Sequence, residues 1–457
     1  MSGRKVSRGR KAALRWVAVM ITVATAVGVG VSIPAASAAP KAEAPKATEV
    51  GVSPSTIKVA IVTDVNNQIV PGVLQGIVDG MNGWGRYVNA KGGIAGRKVE
   101  VDFIDSQLNP NEARNAVIQA CSNDYALVGT AALLMPVGAI PDMTGCKDQA
   151  GAATGLPDIA SLVTQIAEAC APVAFPFAPN AVDCSTVTQH PQTYRGMQGD
   201  AKYLLKANGN HLHGSYALAV DSPSVKLTSN VLFHVYEQAG IKADKSWQVQ
   251  GTFPQSAYTP IIQAMKQDQS NYALMLQAVN GVVQERQEAV LQGLTDPKIV
   301  WECDLACYHS KVFTDAGSAV EGTYMQLAFL PFEETSSNAM NKNFVKYVGK
   351  DKLSGFASWG FTAGLEFQQA MQEVVAKNGV NGLTRANLLT ALKNMTTFNA
   401  GGMIGTVNVA KQIPTKCFML DQYKGGKFIR VYPKKPGTFD CKASNAVTFQ
   451  GDYIPAG

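Results

Sequence analysis

No cysteine occurs before Cys121, so the N-terminal region offers no thiol for lipid attachment at a cleavage point. GxSxG, HExxH, the Walker A loop and the dinucleotide GxGxxG fingerprint are all missing, which leaves no sequence signature of a serine hydrolase, a zinc protease or a nucleotide-binding enzyme. Histidine is scarce, five in all, and the one close pair, His211 and His213, lacks the acidic or cysteine partners that a metal site needs. No low-complexity stretch or short tandem repeat interrupts the chain after its first forty residues. The formal charge of +6 is carried entirely by Arg4, Lys5, Arg8, Arg10, Lys11 and Arg15. Without them the net charge is zero, and nothing points to nucleic acid or an anionic membrane as a partner.

Those six basic residues open a recognisable leader. An apolar run from Trp16 to Ile33 follows them, then Pro34 and the small residues Ala36-Ser37-Ala38, the order expected of a signal peptide over 1–38 that is removed on export. A linker rich in alanine, proline and lysine leads on to residue 51. The exported chain is expected to be soluble in a periplasmic or cell-wall space. Eight cysteines, an even number in an exported chain, point to disulfides before metal. Their spacing pairs Cys303 with Cys307, Cys170 with Cys184, Cys417 with Cys441 across a C-terminal hairpin, and Cys121 with Cys146. The last would close a loop worth about 3 kcal/mol in unfolded-chain entropy. A zinc site on Cys303 and Cys307 lacks a second pair. No metal and no cofactor is expected.

Roughly four hundred exported residues exceed what one core serves, so two lobes are expected. From Ile57 the pattern alternates strand and helix: IKVAIVTDV, a helical spread from Val70 to Asn89, KVEVDFID, a helix from Pro110 capped by Asn109, YALVGTA, a helix across Cys146, LPDIASL and PVAFPFAP. A second series runs through helix Thr193 to Ala207, SYALAVDS, helix Ser224 to Ala239, SWQVQGTF, helix Tyr258 to Gln267, NYALMLQA, helix Gly281 to Leu291 and KIVWECD. Two such series indicate α/β lobes with parallel sheets flanked by helices. Ser336–Val348, Phe361–Ala376 and Arg385–Leu392 then read as helices, and CFMLDQYKGGKFIRVY reads as a hairpin turning at Lys424-Gly425-Gly426.

Gly92, Gly93 and Gly96 in NAKGGIAGRKVEVDFID resemble a phosphate cradle, but such a loop follows a strand and opens a helix. Here the order is helix, glycines, strand, so the glycines read as a turn using backbone angles that other residues resist. Ligands of open parallel sheets sit beyond the carboxyl ends of the strands. That rule nominates Asp64 to Gln68, Asn66 and Asn67 among them, then Ala131, Ala132 and Leu133, then Leu162, Val163 and Thr164, and in the second series Asp221 to Val225, Gln277 to Asn280, and Asp304. Asp102 and Asp105 read as solvated strand ends or caps.

YVNAKGGIAGRKVEVDFIDSQLNPNEA, TFPQSAYTPIIQAMKQDQSNYALMLQ, AVEGTYMQLAFLPF, GFTAGLEFQQAMQEVV and GTVNVAKQ occur in that order. In order and spacing the chain resembles the branched-chain amino-acid (Leu/Ile/Val) binding family of extracytoplasmic solute-binding proteins of ABC importers, of the type I periplasmic binding protein fold. The resemblance spans nearly the whole exported chain. It implies two Rossmann-like lobes joined by three crossings and closing like a Venus flytrap. The crossings fall near Phe175–Asn180, Gln326–Phe332 and Ala400–Gly405, dividing the chain into lobe one (52–179 and 333–399) and lobe two (180–332 and 400–457).

The resemblance also implies a carboxylate held by a hydroxyl and backbone N–H groups in Thr130-Ala131-Ala132-Leu133 and Ser161-Leu162-Val163-Thr164. Thr164 matches the family's threonine, while the serine-rich third-strand loop has become apolar. Val225 replaces the family's tyrosine, and no acid for a ligand ammonium is evident between Gln277 and Asn280. An ammonium buried without a partner costs several kcal/mol. Either Asp64 or Asp304 supplies the missing charge, or the ligand is a more apolar molecule bearing a carboxylate or carbonyl. The function implied is capture of a small organic solute and delivery to a permease by a monomer without enzymatic activity. The alternative is a ligand sensor presented to a membrane receptor.

Overall fold

In the computed structural model, residues 43–68 and 71–453 are described. The expected leader, its Ala36-Ser37-Ala38 signal, the first linker residues and Val70 lie outside the described residues. The first series builds β1 (Thr56–Thr63), β2 (Lys98–Asp105), β3 (Ala126–Val128) and β4 (Asp158–Ile159), a wholly parallel sheet in the order β2-β1-β3-β4. β1 is central and buried almost throughout, which is why TIKVAIVT is a near-continuous apolar run, while edge strand β2 alternates. Helix Pro110–Asn123 opens as expected, with the Asn109 side chain accepting from the N–H groups of Asn111 and Glu112.

Helix Gln75–Ala90 packs on the long helix Gly355–Asn378. A Cβ added at Gly80 would lie 2.1 Å from the Ala357 carbonyl oxygen, and one at Gly360 would lie 2.1 Å from that of Ile77. Glycine at the crossing lets the two backbones touch and seats Trp84 edge-on to Phe367, ring centroids 5.9 Å apart. The glycine turn forms as read: Gly93 has φ +78°, and a Cβ there would sit 1.9 Å from the Arg97 carbonyl oxygen.

A short ribbon strand, β5 (Gln192–Met197), precedes the second sheet. That sheet runs through β6 (His213–Ala219), β7 (Lys242–Val249), β8 (Tyr272–Leu276), β9 (Val300–Cys303) and β10 (Tyr324–Leu327), all parallel, and the hairpin β11 (Met419–Lys424) and β12 (Lys427–Tyr432) extends it antiparallel. The hairpin turns at Gly425 and Gly426, both at positive φ. β13 (Ala446–Gly451) pairs antiparallel with β5.

Two expectations are corrected. Residues 192–197 form β5, and the helix begins only at Gly199, because pairing with β13 supplies ladder bonds that local sequence does not announce. PVAFPFAP is not a strand; its three prolines remove the N–H donors a ladder needs, and only the bridge of Ala174 to Asp158 remains.

All four expected disulfides form: Cys121–Cys146, Cys170–Cys184, Cys303–Cys307 and Cys417–Cys441. Cys170–Cys184 brackets the segment of the first expected crossing. Among the described residues no helix is long and apolar enough to cross a membrane.

Candidate ligand cavity

The loops beyond the first sheet are tied together by a carboxylate. Asp64, buried just past β1, accepts from Ser106 Oγ at 2.6 Å and Leu108 N at 2.7 Å through one oxygen, and from Leu133 N at 2.7 Å through the other. It thus joins the loops after β1, β2 and β3, and both of its oxygens are engaged by protein donors. Ala131 and Ala132 are buried, Leu133 is half-buried, and the Thr164 hydroxyl donates to the Leu133 carbonyl at 3.2 Å. Asp105 braces the same rim, accepting from Val65 N, Asn66 N and Asn66 Nδ2 at 3.1, 2.9 and 2.6 Å. Burial is the largest single influence on its carboxyl and pushes it up, but these donors together with Gln107 N outweigh burial and hold it below the usual range. Asn66 and Gln68 are exposed and Asn67 is half-buried.

Asp64→Asn is expected to lower stability by about 2–3 kcal/mol, since an amide NH2 must then face a donor it cannot satisfy. Urea unfolding reads the loss, and an unchanged midpoint would contradict the structural role.

The nominated residues beyond the second sheet are similarly engaged. Gln277 accepts from Tyr258 Oη at 2.7 Å and donates to Glu285 Oε2 at 2.6 Å. Burial pushes Glu285 up to about 8, against the pull of Gln277 and Arg286. Asp304 caps the turn Leu305–Cys307 through Ala306 N at 2.9 Å and is raised by burial. Val225 is half-buried one turn into helix Pro223–Ala239, its N–H donating to Ser222 Oγ, and Asn280 is exposed.

The space lies closer to the expected crossings. A cavity of about 260 Å³ is lined from all three of those segments: Phe177 to Asn180 and the adjoining Ala181 at the first, Ala328 at the second, Ile404 and Gly405 at the third. Leu162 and Val163 of the loop after β4 and Trp359 of helix Gly355–Asn378 close it from the first sheet's side. Arg195, Gly196 and Met197 of β5, with Thr228 and Leu232 of helix Pro223–Ala239, close it from the other. Trp359 stands edge-on to Phe177, centroids 5.8 Å apart.

Among the described lining residues Arg195 is the sole charged side chain, and no carboxylate is present. Of the residues nominated from strand ends, Leu162 and Val163 line this cavity and the others do not. The residues from β5 and from the first and third expected crossings escaped the strand-end rule, because β5 reads as helix and those two segments follow no strand; Ala328, just past β10, lay within the rule's reach and was not nominated. The cavity can enclose an apolar body, with Arg195 as the charged residue on its described lining, and among the described residues no cluster of histidine, cysteine or carboxylates could hold a metal ion.

A family model described as periplasmic binding protein matches residues 56–427. By sequence alone, no curated protein matches the chain. Among solved structures, a leucine-binding protein from Thermotoga maritima aligns at 14% identity over 82% of this chain and 97% of its own, with a TM-score of 0.63. A fatty acid ABC transporter substrate-binding protein from Thermomonospora curvata aligns at 16% over 85% and 97%, TM-score 0.63. A solute-binding protein of an ABC transporter from R. palustris, in complex with benzoate, aligns at 16% over 85% and 98%, TM-score 0.62. At these identities the structures attest to the shared fold.

Proposed function

The chain belongs to the periplasmic binding protein family, and on that premise we propose that it is an extracytoplasmic solute-binding protein that encloses a small, mainly apolar organic ligand and delivers it to the permease of an ABC importer. The observation that carries the ligand class is the cavity at the crossings, walled by Leu162, Phe177, Met197, Leu232, Trp359 and Ile404. Burying such walls and a matching solute together releases about 25 cal/mol per Å² of apolar surface. A free amino acid fits poorly, because its ammonium would enter a space whose described lining contains no carboxylate and one arginine. Leucine, fatty acid and benzoate, named for the three structural relatives, span the range from zwitterion to apolar acid, and the cavity favours the apolar end.

In this reading lobe one is 52–179 with 333–399, lobe two is 180–332 with 400–457, and they close as a monomer by bending at the crossings. The leader at 1–38 directs export, and the protein takes part in transport without catalysing a reaction.

A thermal-shift screen of the exported protein tests the proposal. A ligand at a hundred times its dissociation constant adds about 2.7 kcal/mol, which for a protein of this size raises the midpoint by several degrees. Apolar acids, amides and ketones are expected to give such shifts and free amino acids none. A strong shift with branched-chain amino acids alone would overturn the ligand class.

A further inference from the structure

We propose that Arg195 is the anion anchor of the cavity: the ligand carries a carboxylate that docks on the guanidinium edge left open by its ion pair with Asp183, so the protein selects apolar acids over amides and amino acids of the same skeleton. The proposal rests on the reading that this cavity is the ligand site.

Three observations carry it. First, β5 aims the side chain. Arg195 pairs with Thr448 of β13, and its N–H donates to the Ala181 carbonyl at 2.7 Å. Arg195, Gly196 and Met197 all line the cavity; side chains alternate along a strand, so Arg195 and Met197 share one face of β5, while Tyr194 is buried on the other, stacked on Phe449.

Second, the guanidinium is positioned and only partly used. Of its five N–H bonds, the one on Nη2 directed at Asp183 Oδ2 forms the ion pair. The other oxygen of Asp183 accepts from Ser185 N at 3.1 Å and Ser185 Oγ at 2.9 Å, which fixes the aspartate to its own turn. Asp183 therefore orients the arginine without covering its remaining edge, and the side chain keeps 27% of its surface exposed.

Third, the surroundings make that edge demanding. The other lining residues are apolar or uncharged, so a ligand that fills the space strips water from the remaining N–H groups. Only an acceptor on the ligand replaces that water, and an anion replaces it best. An amide offers one acceptor oxygen and no charge, and an α-amino acid adds an ammonium beside a cation.

The test is isothermal titration calorimetry of the full exported chain with hexanoate and benzoate, each beside its primary amide, and with leucine. The wild-type protein is expected to bind an acid at least roughly tenfold tighter than its amide. Arg195→Gln is expected to weaken the acid by roughly 10- to 100-fold while leaving the amide within about threefold. Arg195→Lys, a point charge without the fork, is expected to restore part of the loss. Asp183→Asn, which removes a competing negative charge, is expected to bind the acid no more weakly than wild type.

Acids and amides binding alike would overturn the anchor and leave the apolar cavity standing, whereas no binding of any of the acids and amides would reject the cavity as the ligand site and the anchor with it. If Arg195→Gln does not fold, the wild-type preference between acid and amide decides alone.

Discussion

Replacing Arg385 by methionine is expected to cost the fold about 3–5 kcal/mol, although the residue is far in sequence from every strand of the first sheet. Its side chain is fully buried. The guanidinium donates to the carbonyls of Tyr125 at 3.2 Å, Lys147 at 2.7 Å, Cys121 at 2.8 Å and Asp124 at 2.6 Å, and the backbone N–H donates to Glu49 Oε2 at 3.1 Å. One residue at the start of helix Arg385–Lys393 thus holds the entry into β3, the two ends of the Cys121–Cys146 loop and the N-terminal segment. Burial lowers its pKa, and Glu49, Tyr125, Asp148 and Asp124 pull it back up; an arginine stays charged throughout.

Methionine fills much of the volume but leaves buried carbonyls without donors, and each such loss costs about 1–3 kcal/mol. Lysine keeps the charge but cannot reach carbonyls on several sides at once. Urea unfolding of Arg385→Met, Arg385→Lys and wild type checks this. The expected order of stability is wild type, then lysine, then methionine. Arg114→Ala, which removes an exposed pair with Asp142, is expected to leave the midpoint where it is. Wild-type stability in Arg385→Met would show that the carbonyls find water.

Arg385 also marks the boundary of what sequence pattern conveys. Periodicity and turn chemistry identify elements whose cause is local: the apolar β1, the alternating β2, the Asn109-Pro110 helix start, the Gly425-Gly426 hairpin and the turn at Gly93. Cysteine spacing yields the bridges because short loops leave few partners in reach. Elements made by distant pairing carry no such mark. TYRGM has neither alternation nor a β-branched run, and its partner β13 lies at the far end of the chain, so Arg195 looks like a helix residue and its cavity is hidden. The strand-end rule finds the rim of the first sheet, but a rim needs ties as well as contacts, and Asp64 is engaged as a tie. No periodicity distinguishes a carboxylate that binds three loops from one that binds a ligand.

The protein is expected to be more stable at pH 5 than at pH 8, by about 3–5 kcal/mol, because several carboxyl groups are buried where the neutral form is favoured. Asp158 on β4 is pushed up to about 7 by burial, with the Thr130 hydroxyl pulling the other way. Glu168 and Glu366, both buried and with no protein hydrogen-bond partner for their carboxyl oxygens, are raised well above the usual range by burial first and the charge of Asp158 second. Asp124 rises to about 6 and Glu285 to about 8, again mainly by burial.

Each of these groups holds its proton more tightly in the folded chain than in the unfolded one. Its contribution to stability is therefore complete below the unfolded carboxyl pKa near 4 and is lost as pH rises through the folded value, about 6 for Asp124, about 7 for Asp158 and about 8 for Glu285. His309, lowered chiefly by burial, opposes them, since its contribution is present above the ordinary imidazole value and lost as pH falls. It is one group against several.

Carboxylates held low, Asp105 and Asp440, the latter at about 2, matter only in stronger acid. Glu366→Gln isolates the effect, because the amide resembles the neutral acid and cannot ionise. The variant is expected to match wild type at pH 5 and to exceed it at pH 8, with urea unfolding at both values as the measurement. Equal slopes in the two proteins would mean that Glu366 ionises with water or a neighbouring donor at hand. Ser358, Thr362 and Glu366 follow at helical spacing on the helix that carries Trp359, so a charge forced onto Glu366 falls on an element that forms one wall of the proposed ligand cavity.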